Sequence, residues 1–424
     1  MGPIPQAPDQ PRQIVIDSSA QRLAIPDCVP RRGDEASREG CRTLTQVLRD
    51  DLKFEGLFQF VADNLYSAIP ALNPDAVNFD DWAGIGAHFL ISTRAEVTGG
   101  EMSVELKVYS VADKQNILAK RYTAKADNPR LFAHQASDDV MTLTSHRGVA
   151  RTKIAFTSDR DSARGKKVSK ELYIADYDGY NPRRVTVNGS LNILPAWNPD
   201  GRNVAYVSYR QGAPQIYVAS IFEGRNTPNL TGERGGQAFA PAYSHDGKRI
   251  AFASNRSGNM EIWVANADGS GARNLTKSAA TDTAPCWSPT GQEIAFTSNR
   301  GGSPQIYVMD SEGLNIRRFS TVGNYNDAPA WNPAKLYTEI AYTSRLEGGA
   351  FQIVIVDVGG GQVRQITEGR GSCEYPSWAP SGRHLAFSCQ RGGTWQLTVA
   401  DREGRNIRAL QTGAGNNVYP DWGP

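Results

Sequence analysis

A Pro-x-aromatic tripeptide recurs six times between residue 195 and the end of the chain, and no other feature limits the fold as tightly. The copies are Pro195-Ala196-Trp197, Pro241-Ala242-Tyr243, Pro285-Cys286-Trp287, Pro329-Ala330-Trp331, Pro376-Ser377-Trp378 and Pro420-Asp421-Trp422. Their aromatic residues stand 46, 44, 44, 47 and 44 positions apart. Self-similarity at so long a period means that one supersecondary unit is stacked on copies of itself. Four anchors are followed by a turn with glycine: Asp200-Gly201, Asp246-Gly247, Thr290-Gly291 and Ser381-Gly382. Glycine there supplies the positive φ of a tight hairpin. A short apolar strand comes next, "VAYVS", "IAFAS", "IAFTS", "IAYTS" or "LAFSC". A polar loop then leads to a third strand, "QIYVA", "EIWVA", "QIYVM", "QIVIV" or "QLTVA", and a second Gly turn to a polar fourth such as "RNLT" or "RRFS". In "WNPAKLYTEIAY" the Gly is missing and Trp331 lies nine residues before Ile340 instead of seven, which predicts a longer turn.

Four short antiparallel strands in some 44 residues make one blade of a β-propeller. The consecutive apolar positions fit a blade covered on both faces by its neighbours. Two units are incomplete in complementary ways. "KIAFTSDR", "ELYIADYDG" and "RRVTV", from Lys153 onward, give strands two to four with no anchor before them, whereas "VYPDWGP" gives an anchor strand with nothing after it. Joined, they form a sixth blade and leave no sheet edge open inside the ring. The fold class is therefore mainly β, a six-bladed β-propeller whose C-terminal strand closes the first blade, preceded by an N-terminal α/β domain.

For that domain "RQIVIDSS" predicts a strand at Gln13–Ser18. "CRTLTQVLRDDLKFEGLFQFV" places Leu44, Val47, Leu48 and Leu52 at helical spacing, with Leu57 beyond them, and predicts a helix followed by a strand. "AHFLISTRAEV", "EMSVELKVYSV" and "NILAKRYTA" read as three successive strands, and "PRLFAHQASDDVMTLTS", opening at Pro129, as a helix feeding the propeller. The expected organisation is a flexible arm at 1–12, an α/β domain at 13–148 and the propeller at 149–424. A length of 424 residues suits two domains.

Residues 1–150 carry 16 basic and 20 acidic side chains and the remainder 30 and 24, an asymmetry that fits two domains but gives no case for nucleic acid. No stretch approaches the roughly 18–20 apolar residues of a membrane span, and no signal-peptide pattern starts at Met1. The Pro-rich "MGPIPQAPDQPRQ" reads as an exposed extended arm or a processed start carrying an added Met. A cytosolic protein and a secreted one without its leader both stay open. Cys28 and Cys41 flank a short polar loop, and Cys373 and Cys389 fall close to opposite one another on adjacent strands, with Cys286 left over. Two disulfides would suit an oxidising compartment, while the odd count and the lack of CxxC leave free thiols equally open.

The chemistry of catalysis is hard to find. The five histidines, His88, His134, His146, His245 and His384, form no ligand spacing, so no metal is expected. "GIGAHF" runs into a strand and reads as a tight turn rather than a dinucleotide loop. G-x-S-x-G is absent. "ADYDGYN" resembles part of a calcium loop but lacks the later Glu and recurs as "ANADG" and "DSEG", which makes it a hairpin turn. No cofactor and no catalytic residue are expected. What remains is a surface. The loops entering strand one and those joining strands two and three share one face, the funnel. Just ahead of the anchors this face should carry Asn192, Gln237, Asp282, Thr283, Asn326, Asp327, Glu374 and Tyr375. Near them stand Arg160, Arg210, Arg256, Arg300 and Arg391, with Arg345 one position off. A funnel of mixed charge suits a protein ligand, and the competing reading is that each arginine only solvates the rim and pairs with neighbouring acids.

The repeat resembles the propeller of the TolB family, periplasmic components of the Tol–Pal envelope system of Gram-negative bacteria. The flanks add specificity: "RQIVID", "HQASDDVMTLT", "RTKIAF", "ELYIADYDGYN" and the terminal "YPDWGP" all look like TolB and occur in its order, from about residue 12 to 424. The resemblance implies a non-enzymatic periplasmic adaptor. Its funnel would receive the peptidoglycan-associated lipoprotein Pal, at the rim residues above together with Arg256 and Arg300. Its arm, here Gln10, Pro11, Arg12 and Gln13, would bind TolA. Support of outer-membrane integrity, cell division and protein import would follow, in a monomer without a membrane span that could meet other outer-membrane or peptidoglycan-associated proteins. Periplasmic residence would also suit disulfides among Cys28, Cys41, Cys373 and Cys389. Two other readings stay open: a propeller hydrolase or lyase without a recognisable motif, and a similar propeller with a different protein ligand.

Overall fold

The computed structural model describes residues 21–162, 168–222, 229–231, 236–359 and 361–424. The chain divides after Arg151 into two compact units. The strand expected at Gln13–Ser18 and the arm residues Gln10, Pro11, Arg12 and Gln13 lie outside the described residues.

In the first unit the helix Glu35–Glu55 starts six residues before the sequence pattern suggests. Asp34 is the reason: its carboxylate accepts from the Ser37 N–H at 2.9 Å, satisfying one of the free donors of the first turn. Gly56, at φ 68°, ends the helix in the left-handed conformation. Leu44, Val47, Leu48 and Leu52 are fully or nearly fully buried on one face, against Val104 and Leu106 of the sheet and Phe132, Ala136 and Val140 of the helix Pro129–Met141. The three expected strands are Phe89–Thr98, Glu101–Ser110 and Gln115–Lys125, an antiparallel meander. Arg22–Ala24 pairs in parallel with both Phe89–Thr98 and Gln59–Phe60. The short helix Phe79–Gly84 was not legible in the sequence, but "GIGAHF" is indeed a turn before a strand. Cys28 and Cys41 form a disulfide that ties the start of the sheet to the long helix.

The second unit is six sheets in a closed ring. Blade 1 pairs Asn417–Gly423 with Lys153–Ser158, then Glu171–Asp176 and Arg183–Arg184, so the chain's last strand closes its first blade. Blades 2 to 6 follow, with first strands Asn192–Trp197, Ala238–Tyr243, Asp282–Trp287, Tyr325–Trp331 and Cys373–Trp378. Three strands of blade 2 and four of each other blade lie among the described residues. Apolar cores sit between neighbouring blades: Leu172 and Ile174 of blade 1 pack with Trp197 and Tyr206 of blade 2, and the theme repeats through Ile353, Trp378 and Phe387 between blades 5 and 6. This explains why second and third strands are apolar at consecutive positions. The anchor tryptophans also tie blades together by hydrogen bonds. Trp287 Nε1 donates to Ala242 O at 3.1 Å and Trp378 Nε1 to Ala330 O at 3.0 Å, while Trp422 Nε1 donates to Thr152 Oγ1 at 2.8 Å within blade 1, across the closure of the chain's two ends. Gly423 lies so close to the Trp197 ring that a Cβ would come within 2.4 Å of it, which fixes glycine beside the last anchor.

Every first strand carries the same irregularity. Between Ile193 and Ala196 two residues face one on the second strand, and the shift repeats in all six blades. The first residue of each bulge, Leu194, Ala240, Ala284, Ala328, Tyr375 or Tyr419, has φ between 47° and 58°. Left-handed backbone at a residue with a side chain, immediately before proline, is doubly disfavoured and costs of order 1–3 kcal/mol. The proline that follows has no N–H to lose, so the bulge gives up no hydrogen bond there.

Candidate functional site

First strands of successive blades contact one another all round the ring and so line its central channel. Each has a blade on either face and its second strand along one edge, so its half-exposed residues look into the channel. Two layers follow from this arrangement, one residue apart in sequence.

The first layer lies five residues before each anchor. In register, Asn192 faces Ser208, Ala238 faces Ser254, Asp282 faces Ser298, Asn326 faces Ser344, Cys373 faces Cys389 and Asn417 faces Ser158. Asn192, Asp282 and Asn326, expected on the partner-facing rim, are instead 0% exposed. They staple blades. Asn192 Nδ2 donates to Lys170 O at 2.9 Å and Glu171 Oε2 at 3.0 Å in blade 1, and Asn326 Nδ2 donates to Gln305 Oε1 at 2.7 Å in blade 4. Asp282 holds Arg300 at 2.9 Å. In blade 6 the staple is covalent, a Cys373–Cys389 disulfide.

The arginines are mostly part of the same framework. Arg160 stacks over Tyr173 at 4.3 Å, Arg210 over Tyr217 at 3.6 Å, Arg256 over Trp263 at 4.9 Å and Arg300 over Tyr307 at 5.0 Å. Arg160 also donates to the Asn417 side chain at 2.9 Å across the ring closure. Burial holds the Arg160 and Arg256 guanidiniums below their usual pKa. Arg345 and Arg391 are exposed, and Arg345 donates to the Asn324 side chain at 3.2 Å. Gln237 is exposed, its backbone bound to the Asn255 side chain at 2.6 Å. Thr283 is half-buried.

The second layer, at the bulge, faces the channel and is not symmetric. Blades 2 and 3 present Ile193, Leu194 and Phe239, with Tyr209 edge-on to Phe239 at 6.4 Å between ring centres. Blade 4 presents Thr283 and Ala284. Blades 5 and 6 present Asp327 and Glu374, and the tyrosines Tyr375 and Tyr419 of blades 6 and 1 meet edge to face at 4.5 Å. Asp327 Oδ1 accepts from Thr297 Oγ1 at 2.8 Å and Ala328 N at 2.7 Å, yet desolvation still pushes its pKa up. Glu374 is raised by desolvation first and by the Asp327 charge second, which places Glu374 within the field of Asp327. The bulges are held from the neighbouring blade: Tyr375 N donates to Thr343 Oγ1 at 2.9 Å and Tyr419 N to Ser388 Oγ at 3.0 Å. Deeper, Asp421 accepts from Trp197 N at 2.6 Å and Ser377 Oγ at 3.1 Å, linking blades 6, 1 and 2, and burial pushes its pKa up to about 6.

Of the expected site, then, the structure brings together Asp327, Glu374 and Tyr375 at the channel. It removes Asn192, Asp282 and Asn326 to the interior and leaves Gln237 and Thr283 apart from that cluster. The apolar wall and Tyr419 were missed. Their signal was available: they stand at the two positions after the staple, where the repeat stops conserving its own chemistry. Preorganised backbone, desolvated carboxylates and an apolar wall occur together in one funnel, with acceptors and apolar surface already fixed in place.

The fold is a six-bladed propeller preceded by an α/β domain, with its distinctive chemistry in the funnel. Residues 140–424 match the TolB beta propeller domain and residues 13–117 the TolB amino-terminal domain. The chain belongs to the TolB family. It is 34% identical over 209 residues, 48% of this chain and 46% of the relative, to the Tol-Pal system protein TolB of Desulfosudis oleivorans. It is 35% identical over 281 residues, 66% and 62% of the two chains, to that of Anaeromyxobacter dehalogenans. The chain spans about half the length of the first of these curated relatives. The crystal structure of TolB from Acinetobacter baumannii superposes with a TM-score of 0.79 at 26% identity, covering 99% of this chain and 98% of that one. No helix among the described residues is long and apolar enough to cross a membrane.

Proposed function

We propose that the chain is a non-enzymatic, periplasmic protein-binding adaptor of the Tol–Pal system. Its funnel receives the lipoprotein Pal and its N-terminal arm, including Gln10, Pro11, Arg12 and Gln13, engages TolA. Supporting outer-membrane integrity and cell division is the role this implies. The observation that carries the reading is family membership over both domains, in a chain whose specific chemistry is gathered in a preorganised funnel. Asp327, Glu374 and Tyr375, with Gln237, Thr283 and the half-buried Arg256 and Arg300 elsewhere on the funnel, are the contact residues of this reading. Asn192, Asp282 and Asn326 support them from within.

Calorimetric titration with the periplasmic domain of Pal from the same organism tests the proposal, using the full chain and a form lacking residues 1–12. Saturable one-to-one binding is expected, with an affinity that changes on truncation because arm and funnel are linked. Binding of neither form would overturn the reading.

A further inference from the structure

The channel layer is polarised. In a closed ring of six, blade 2 stands opposite blade 5 and blade 3 opposite blade 6. The apolar residues Ile193, Leu194 and Phe239 therefore look across the channel at Asp327 and Glu374. Neither carboxylate makes an ion pair among the described residues, whereas several other buried acids of the propeller do. Asp282 has Arg300, Glu171 has Arg184 at 3.0 Å, and Glu339 has both Arg364 and Arg402. Two desolvated carboxylates on adjacent blades are a costly arrangement that two hydrogen bonds to Asp327 offset only in part, since no cation meets either group. A cation placed between them would relieve both costs at once. The opposite wall offers such a cation nothing, but it offers an apolar side chain a dry surface.

Resting on the proposed funnel-binding function, we infer that the partner enters the channel with a segment of two-sided chemistry. A lysine or arginine lies against Asp327 and Glu374 on blades 5 and 6, and an apolar side chain lies against Ile193, Leu194 and Phe239 on blades 2 and 3. The polarity fixes the rotational setting of the partner about the channel axis, which a symmetric funnel could not do. Specificity arises in the same way: a segment with an acidic side chain on the first wall is rejected by like charge.

The test uses the full chain, its Asp327→Asn/Glu374→Gln and Phe239→Ser variants, and two kinds of probe. One probe is the periplasmic domain of Pal. The other is a pair of synthetic peptides sharing one apolar half and carrying either three lysines or three glutamates. Thermal melts of each variant establish that it is folded. The expected result is that Asp327→Asn/Glu374→Gln weakens Pal binding by at least about tenfold and flattens its salt dependence. Lys→Gln substitutions in Pal should then lose their effect in that background but keep it in Phe239→Ser. The lysine peptide should bind and the glutamate peptide should not. Pal binding that is unchanged in affinity and salt dependence in the double variant overturns the inference and leaves the function standing. Failure of Pal to bind, with carboxylate-dependent binding of the lysine peptide, does the reverse. Failure of both probes overturns both.

Discussion

Asp282 and Asp327 sit one residue apart on the blade repeat, five and four positions before their anchor tryptophans, and do opposite work. Asp282 is sealed from solvent and neutralised by Arg300. Asp327 is half-exposed at the channel, held by a threonine hydroxyl and an amide, and meets no ion-pair partner among the described residues. The difference generalises to the whole ring. The staple layer carries Asn opposite Ser in blades 1, 2 and 5, Asp opposite Ser in blade 4, a disulfide in blade 6 and Ala238 in blade 3, so most blades use it as an internal fastening. The channel layer varies from Ile193 to Glu374, and on the proposed function that variation matches a partner without six-fold symmetry.

The sharpest way to break the comparison is to remove a staple. Asp282→Ala leaves the half-buried Arg300 without its carboxylate, and because that cation is partly open to water the cost should fall near the lower end of the about 3–5 kcal/mol of a buried pair broken from one side. Urea unfolding should show a loss of this size, whereas an equally stable variant would demote the staple to decoration. Next in size is the covalent staple. Cys373→Ala/Cys389→Ala opens a loop of 16 residues and should cost about 3 kcal/mol. Cys373→Asn/Cys389→Ser, which writes the chemistry of blades 1, 2 and 5 into blade 6, should recover part of the loss. Equal melting of the two pairs would show that Asn opposite Ser contributes nothing.

Asp421 gives a smaller effect with a sign. Its folded pKa of about 6 lies above the ordinary 3.8, so the stability it contributes is fully present below the unfolded value and is lost as pH rises through about 6. Across that window the wild type should lose about 2–3 kcal/mol relative to Asp421→Asn. Melting curves of the two that stay parallel from pH 4 to 8 would contradict the assignment. Least of all should change with Asp327→Asn, whose stability should stay within about 1 kcal/mol of wild type because the variant removes a desolvated charge and keeps an acceptor for Thr297.

Much of the fold was legible before any coordinates. Spacing fixed the number of blades, and the complementary fragments at Lys153 and "VYPDWGP" fixed the closure, because a blade lacking its inner strand cannot cover its neighbours. The helix start at Glu35 was not legible from apolar periodicity, since the first two turns are polar and only the Asp34 cap marks them. The site was half legible. Asn192, Asp282 and Asn326 read as surface because polar residues ahead of a strand usually are. Their recurrence at one offset, opposite a serine eleven to thirteen residues after the same anchor, was the sign of an internal fastening. The left-handed bulge at Leu194 and its five counterparts had no sequence signal. A residue before proline is expected to be extended, and the register shift that bends it arises only once a second strand and a neighbouring blade are in place.

The central claim is that the funnel's carboxylates face a protein partner. Calorimetric titration of Pal's periplasmic domain into the wild-type chain and into Asp327→Lys tests it most directly. The account predicts saturable one-to-one binding that is weakened at least tenfold in a variant that still melts as a folded propeller. Equal affinity for the two proteins would take Asp327, and the wall it belongs to, out of the interface.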